Sequence, residues 1–235
     1  FIQGYATVHA SGNAGIGGGY AGNAKNIIIR GHSKVTATAT VGAAIGGGGA
    51  SWGNTYYGGS AKGIVIRDHA TVVAKSDGGS WLGNGCAAIG AAGNKDTEAE
   101  VIIGTPGATA ATGDVHVTAT GLYGSAIGSG TKDTKVTIQG HVTIQTALDT
   151  ASVAIGSRYG NVTVNIKDNA SINTATGRSN SSIGGWKIDS DSGRKVVVNI
   201  DGGEHGKVKL GENSPITGGL DAISGTEVNI GNNVL

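Results

Sequence analysis

The stretch IRGHSKVTA (residues 29–37) returns as IRDHATVVA (66–74), and more loosely as IQGHVTIQT (138–146) and IKDNASINT (166–174). Each copy opens on isoleucine and carries valine or isoleucine six positions later. Extending that register along the chain gives the opening isoleucines Ile2, Ile29, Ile66, Ile103, Ile138, Ile166, Ile200 and Ile230. Two positions earlier stand Ile27, Ile64, Val101, Val136, Val164, Val198 and Val228. Six positions later stand Val8, Val35, Val72, Ile144 and Ile172, with Val117 and Val208 entering after short insertions. Eight positions later come Ala10, Ala37, Ala74, Ala119, Thr146, Thr174 and Leu210. Mostly polar residues alternate with these, among them Thr7, Lys34, Thr71, His116, Thr143, Ser171 and Lys207. A period of two predicts strands with one buried face.

A third landmark recurs: AGIGGG at Ile16, AAIGGGG at Ile45, AAIGAAG at Ile89, SAIGSG at Ile127, VAIGSRYG at Ile155 and SSIGGW at Ile183, with DAISG at Ile223 as a late echo. Each unit therefore reads as two strands, a corner and a short apolar-glycine segment. A unit this small cannot bury its own apolar face, whereas stacked units bury a continuous core. Like residues then meet their own copies about 4.8 Å away, so inward columns stay apolar while outward ones drift. Between the strands, Q-G-Y, R-G-H, R-D-H, Q-G-H and K-D-N put Gly or Asp where the chain bends and positive φ is tolerated. The glycine-rich landmark marks a corner, or a place where successive layers lie too close for side chains.

The expected fold is all-β, a right-handed parallel β-helix (β-solenoid) of about seven coils, in one repeat domain spanning residues 1–235. The rod would be roughly 34 Å long at the usual strand spacing. Phe1 enters in the middle of a repeat, so the chain reads as a segment of a longer protein. No clear cap protects the ends unless residues 231–235 form one.

Composition agrees. Gly supplies 45 of 235 residues and Pro only 2, without the G-X-Y period of collagen. Abundant Val, Ile and Thr favour pleated strands. A formal charge of +1 lacks the basic excess that phosphate-backbone binding rests on, so nucleic acid is not an expected partner. No apolar run reaches the ~18–20 residues of a bilayer span, and no signal peptide is read. Cys86 is the single cysteine; set among small residues, it reads as a buried small hydrophobe.

The segments AGIGGGYAG, AAIGGGG, IIIRGHSKVTATA and VTVNIKDNASINTATG resemble the glycine-rich GIGGG repeats of secreted and cell-wall-anchored proteins of Firmicutes-type bacteria. That resemblance covers nearly the whole chain. It implies an adhesin or carbohydrate-associated module at the bacterial cell surface, with a glycan or a host or cell-surface protein as partner.

No catalytic motif stands out. His32, His69 and His141 share a turn column that Asn169 continues. A metal site needs three or four convergent ligands, and the plainer reading is a turn residue whose ring nitrogen caps a backbone group. DSDSG (189–193) lacks the full frame of a calcium loop and reads as a polar turn. KDTEAE and TKDTK read as soluble loop tips. Polysaccharide cleavage needs clustered carboxylates or a basic residue poised over a groove. Asp68 and Asp168 sit in turns, Arg30, Arg67 and Lys167 make a partial basic stripe, and no column is expected to bring two carboxylates together. The outward column His9, Thr36, Val73, Thr118, Gln145, Asn173, Lys209 is too mixed for the flat Thr array of an ice binder.

The aromatic residues point further. Except for Tyr5, the Trp and Tyr residues flank the Ile-Gly landmark. Trp52, Tyr56, Tyr57, Trp81, Tyr123, Tyr159 and Trp186 are the candidate ligand-binding residues, with Tyr20 beside them. Their apolar bodies and polar tips suit sugar stacking or a protein partner, and the alternative is that they shield exposed glycine backbone. GASWGNTYYGGS (49–60) concentrates three rings in one insertion. Ile28, Val65 and Ile102 should form an outward apolar stripe that Thr137, Asn165 and Asn199 later replace. The functional expectation is a non-catalytic adhesin or carbohydrate-binding module, with a passive stalk second and a polysaccharide lyase- or hydrolase-like enzyme third. No cofactor and no metal are expected.

Overall fold

The computed structural model describes residues 1–52, 55–78, 85–93, 96–129, 131–177, 182–185, 194–204, 206–213 and 226–235. Among them the chain is all-β, with three parallel sheets and one antiparallel hairpin. The first sheet runs Thr7–Gly12, Lys34–Ala39, Thr71–Ser76, Val115–Gly121, Val142–Asp149, Ser171–Thr176, Lys209–Asn213. The second is made of the Ile-Gly landmarks: Ile16–Gly17, Ile45–Gly46, Ile89–Gly90, Ile127–Gly128, Ile155–Ser157 and Ile183–Gly185. The third contains Ala24–Lys25 and Ile28–Ile29, then Ala61–Ile66, Glu98–Ile103, Asp133–Ile138, Asn161–Lys167, Val196–Asp201 and Thr226–Ile230. Up to Asn213 the chain visits the first, second and third sheets in rotation, and each return places a strand beside its predecessor. This order fits a β-solenoid.

The repeat columns are the packing columns. All eight opening isoleucines pair in sequence, from Ile2 against Ile29 to Ile200 against Ile230. The landmark isoleucines from Ile16 to Ile183 do the same. Val8, Val35, Val72, Val117, Ile144 and Ile172 form a third ladder. Ile29, Ile66, Ile89, Ile103, Ile127, Ile138, Ile144, Ile155 and Ile166 are completely buried, each stabilising the fold by about 1.5–3 kcal/mol before the cost of ordering. Val8 is only half-buried, because its strand lies at the sheet edge with one neighbour.

The turns follow the sequence rule closely. Gly4, Gly31, Asp68, Gly140 and Asp168 all have positive φ, between 59° and 75°. Asp tolerates this region better than most residues do, which is why it alternates with Gly there.

Two assignments of register change. The alanine column continues through Ala147 and Ala175, not Thr146 and Thr174, because an irregularity between Val117 and Thr118 shifts the pairing by one residue. The extra residue lets a small apolar side chain keep the interior place, while Thr146 is half-buried outside the core. Leu210 pairs with Ile172, the column first assigned to Val208. Val208 instead bridges Val234 and is fully buried, so residues 231–235 do pack against the last described layer.

Candidate functional site

The Ile-Gly corner is the first place to look, since the aromatic residues flank it. Its glycines are a steric requirement. Gly46 has φ 140°, and a β-carbon there would collide with the carbonyl oxygen of Gly90 one layer on; Gly90 stands in the same relation to Gly128. The layers are therefore joined backbone to backbone along this edge, and bulky side chains can only rise from the insertions on either side.

One insertion is the hairpin Gly49–Trp52 and Thr55–Gly58, the single antiparallel pairing among the described residues. It aligns Ala50 with Tyr57 and Ser51 with Tyr56. Tyr57 is 44% exposed. Tyr20, in the preceding layer, is 63% exposed. Tyr123 and Tyr159 are brought together: both line one shallow crevice with Ser129, Thr131 and Arg158. The Arg158 guanidinium lies 5.3 Å from the Tyr159 ring centre. Below it Arg194, almost fully buried, donates from Nη1 to the Arg158 carbonyl (2.6 Å), from Nη2 to that of Ser157 (2.8 Å), and from Nε to that of Gly160. These charge-assisted bonds hold the loop that presents Tyr159. Trp81 and Trp186 lie outside the described residues, as do the side chains of Trp52 and Tyr56 and the DSDSG turn.

A second surface crosses the third sheet. Lys62, Glu98, Glu100, Asp133, Lys135 and Asn161 line an open groove of about 290 Å³. Here the expectation of separated carboxylates fails, since Glu98 pairs directly with Asp133 on neighbouring strands, with Glu100 two residues along the same face. The reason is the repeat itself: both stand five residues before an opening isoleucine, on strands where loop tips were expected. Glu98 bonds Lys62 and lies 3.5 Å from Lys132. The hydrogen bond and charge of Lys62 hold the Glu98 carboxyl below its ordinary range, and Glu98 in turn raises the Lys62 ammonium. Asp133 accepts from the Asn161 amide at 3.0 Å. Further along, Ile28, Val65 and Ile102 are in register with Thr137, Asn165 and Asn199, as expected, and Asn229 extends the column. Asn199 donates to Asn165 and Asn229 to Asn199, both at 2.8 Å, so the amides form a ladder.

The histidine column divides into two groups at the junction of the third and first sheets. Tyr5, His32 and His69 form a continuous ring stack, with centroids 4.9 and 4.5 Å apart and planes within 6°. Tyr5, the one aromatic residue set aside by the landmark pattern, belongs to this group because Q-G-Y occupies the same turn as R-G-H. The His69 ring nitrogen accepts from the Asp114 amide at 3.4 Å, which is the turn-capping role expected. His141 Nδ1 and His116 Nε2 bond the two carboxylate oxygens of Asp114, at 2.9 and 3.1 Å. Partial burial pushes the Asp114 carboxyl up, but the bonds to His141 and His116 outweigh it and leave the carboxyl below its ordinary range. Among the described residues no group of three or more His, Cys, Asp or Glu side chains is arranged to hold a metal ion.

Two buried titratable groups lie away from these surfaces. Burial pushes the Cys86 thiol up to about 12, and the thiol donates to the Val41 carbonyl at 2.9 Å, so it is inert rather than nucleophilic. Asp149 occupies the inward column of Ser76 and Gly121. Its Oδ1 accepts the amides of Ala151 (2.8 Å) and Ser152 (2.5 Å), while Oδ2 is buried without a partner in the space above Gly121. Burial pushes this carboxyl up to about 7, against the two amide bonds and the charge of Arg158.

No helix of the described residues is long and apolar enough to cross a membrane. Comparison with known proteins found no family model, no curated protein and no solved structure that matches the chain.

Proposed function

We propose that the chain is a right-handed parallel β-helix of about seven coils that serves as a non-catalytic carbohydrate-binding or adhesin module of a bacterial surface protein. The rotation of the chain through three parallel sheets supports the architecture, and the handedness follows from the rule for parallel crossovers. The observation that carries the function is the exposure of Tyr20 and Tyr57, with Tyr123 and Tyr159 sharing a crevice, along the one edge where the backbone is bare. Rings with an apolar face and a polar tip stack on sugar rings while keeping water at the hydroxyl. The partner is a glycan, borne by a polysaccharide or by a host or cell-surface glycoprotein.

A glycan array tests this with the wild type beside Tyr57→Ala, Tyr159→Ala, Trp52→Ala and Trp81→Ala. Retention of a glycan by the wild type, weakened in these variants at unchanged melting temperature, supports the reading. A wild type that retains nothing leaves a passive stalk. The enzyme reading gains one point and loses another. Glu98 and Asp133 are neighbours, but Lys62 holds the Glu98 carboxyl below its ordinary range, which suits a base or nucleophile and not the general acid.

A further inference from the structure

The junction between the third and first sheets carries a concentration of positive charge that the chain's net charge of +1 conceals. Around this bend alternate residues project outward. Three successive layers present Gln3, Tyr5 and Thr7, then Arg30, His32 and Lys34, then Arg67, His69 and Thr71. The Tyr5–His32–His69 ring stack runs up the middle, with Tyr5 84% exposed. Arg30 and Arg67 stand beside the stack on the side of the third sheet, and Lys34 on the side of the first.

None of the three cations is neutralised. Among the described residues, no carboxylate lies within salt-bridge distance of Arg30, Lys34 or Arg67. Arg30 instead gives Nε and Nη2 to the neutral Gln3 Oε1, at 3.1 and 2.6 Å. The Arg67 Nε is buried and has no partner at all. The Arg67 side chain as a whole is half-exposed, so an anion from outside meets the part of it that faces solvent, not the buried Nε. Asp114, whose amide bonds His69, has both carboxylate oxygens taken by His116 and His141. Along the third sheet, by contrast, Lys62 pairs with Glu98 and Lys195 with Glu227.

We infer that this strip, Arg30, Lys34 and Arg67 around the Tyr5–His32–His69 stack, binds an acidic glycan, whose carboxylate or sulfate groups meet the guanidinium groups while its rings lie along the exposed aromatic edge. Arg suits this task because its planar fork matches a carboxylate or sulfate with two parallel bonds. The strip is one charged edge of a rod, so an extended polymer that follows the rod axis meets the cations layer by layer. This inference rests on the glycan-binding reading but uses a different face of the molecule from the tyrosine-bearing corner.

The test is retention of the 235-residue chain on three immobilised polymers: polygalacturonate for carboxylate, dextran sulfate for sulfate, and dextran as the neutral control. The wild type is expected to bind at least one polyanion and to lose affinity as salt rises, since exposed charges are screened. The double variant Arg30→Gln/Arg67→Gln should bind about tenfold more weakly or worse. Lys135→Gln, a charge loss of the same kind on the third sheet, should change little. Lys34→Gln is exposed at the start of its strand and should fold normally; it reports on the strip even if the double variant does not fold. Which polyanion is retained assigns the anion. Equal binding by the Lys34 and Lys135 variants overturns the inference, and so does retention of dextran alone, which would leave the glycan reading of the tyrosine-bearing corner standing. Failure to bind any of the three polymers, with no glycan retained on the array, removes both.

Discussion

Replacing Asp149 by Asn should make the protein more stable at alkaline pH and leave it nearly unchanged at acidic pH. Asp149 is 1% exposed, with one oxygen bonded to two amides and the other facing the space above Gly121 without a donor. Burial raises its folded-state value from 3.8 to about 7. The sign follows directly. A carboxyl whose folded value is raised holds its proton more tightly in the native state. The stability this confers is complete below about pH 4 and is lost as pH rises through about 7. A gap of about three pH units, at about 1.4 kcal/mol each, amounts to about 4 kcal/mol across that window. Asn keeps the acceptor for Ala151 and Ser152, cannot ionise, and turns its amide donor into the space that the Ser125 carbonyl also borders. Urea unfolding of both proteins at pH 4.5 and 8.5 reads the difference, because every other titration is common to the two. The Asn variant should gain about 2–4 kcal/mol on the wild type between the two pH values. A difference that does not change with pH would refute the idea that Asp149 is an orphaned buried acid.

Three further expectations follow from the packing. Gly90→Ala should cost about 3 kcal/mol or more, since its β-carbon meets the Gly128 carbonyl at φ 140°, whereas Gly19→Ala has open space and should be nearly neutral; thermal melts compare them. Ala147→Leu should destabilise by about 1–3 kcal/mol through overpacking, while Thr146→Leu should stay within about 0.5 kcal/mol. The reverse order in urea midpoints would restore the unshifted register. Cys86 should resist a thiol reagent at pH 8 in the native protein and react on unfolding, because burial pushes the thiol up to about 12; rapid native labelling would contradict its placement.

How far the sequence could be read depended on whether a residue answers to its own copies or to another segment. The Ile2-to-Ile230 column, the landmark isoleucines and the Gly or Asp turns were legible because each is repeated against itself, and a single pleat or bend imposes the same demand in every layer. Thr146 and Thr174 were misplaced because a one-residue bulge leaves no mark in composition, and only the interior's preference for Ala147 and Ala175 reveals it. Glu98 and Asp133 both stand five residues before an opening isoleucine, Ile103 and Ile138, so their pairing was legible in the repeat; it was missed because both segments read as loop tips rather than strands. Tyr5 was passed over for a different reason: it is remote in sequence from the Ile-Gly landmark but stacks on His32 and, through it, His69.

By itself, then, the amino-acid order determined the strands, their inward faces, the turn positions and the partner of each layer, since those rest on periodicity and on the steric freedom of glycine. The tertiary structure decided which charges stand alone. Whether Arg67 meets a carboxylate, whether Asp149 keeps a donor, and which rings touch all depend on distances across layers, and Coulombic and desolvation energies change over a few ångströms that no spacing along the chain encodes.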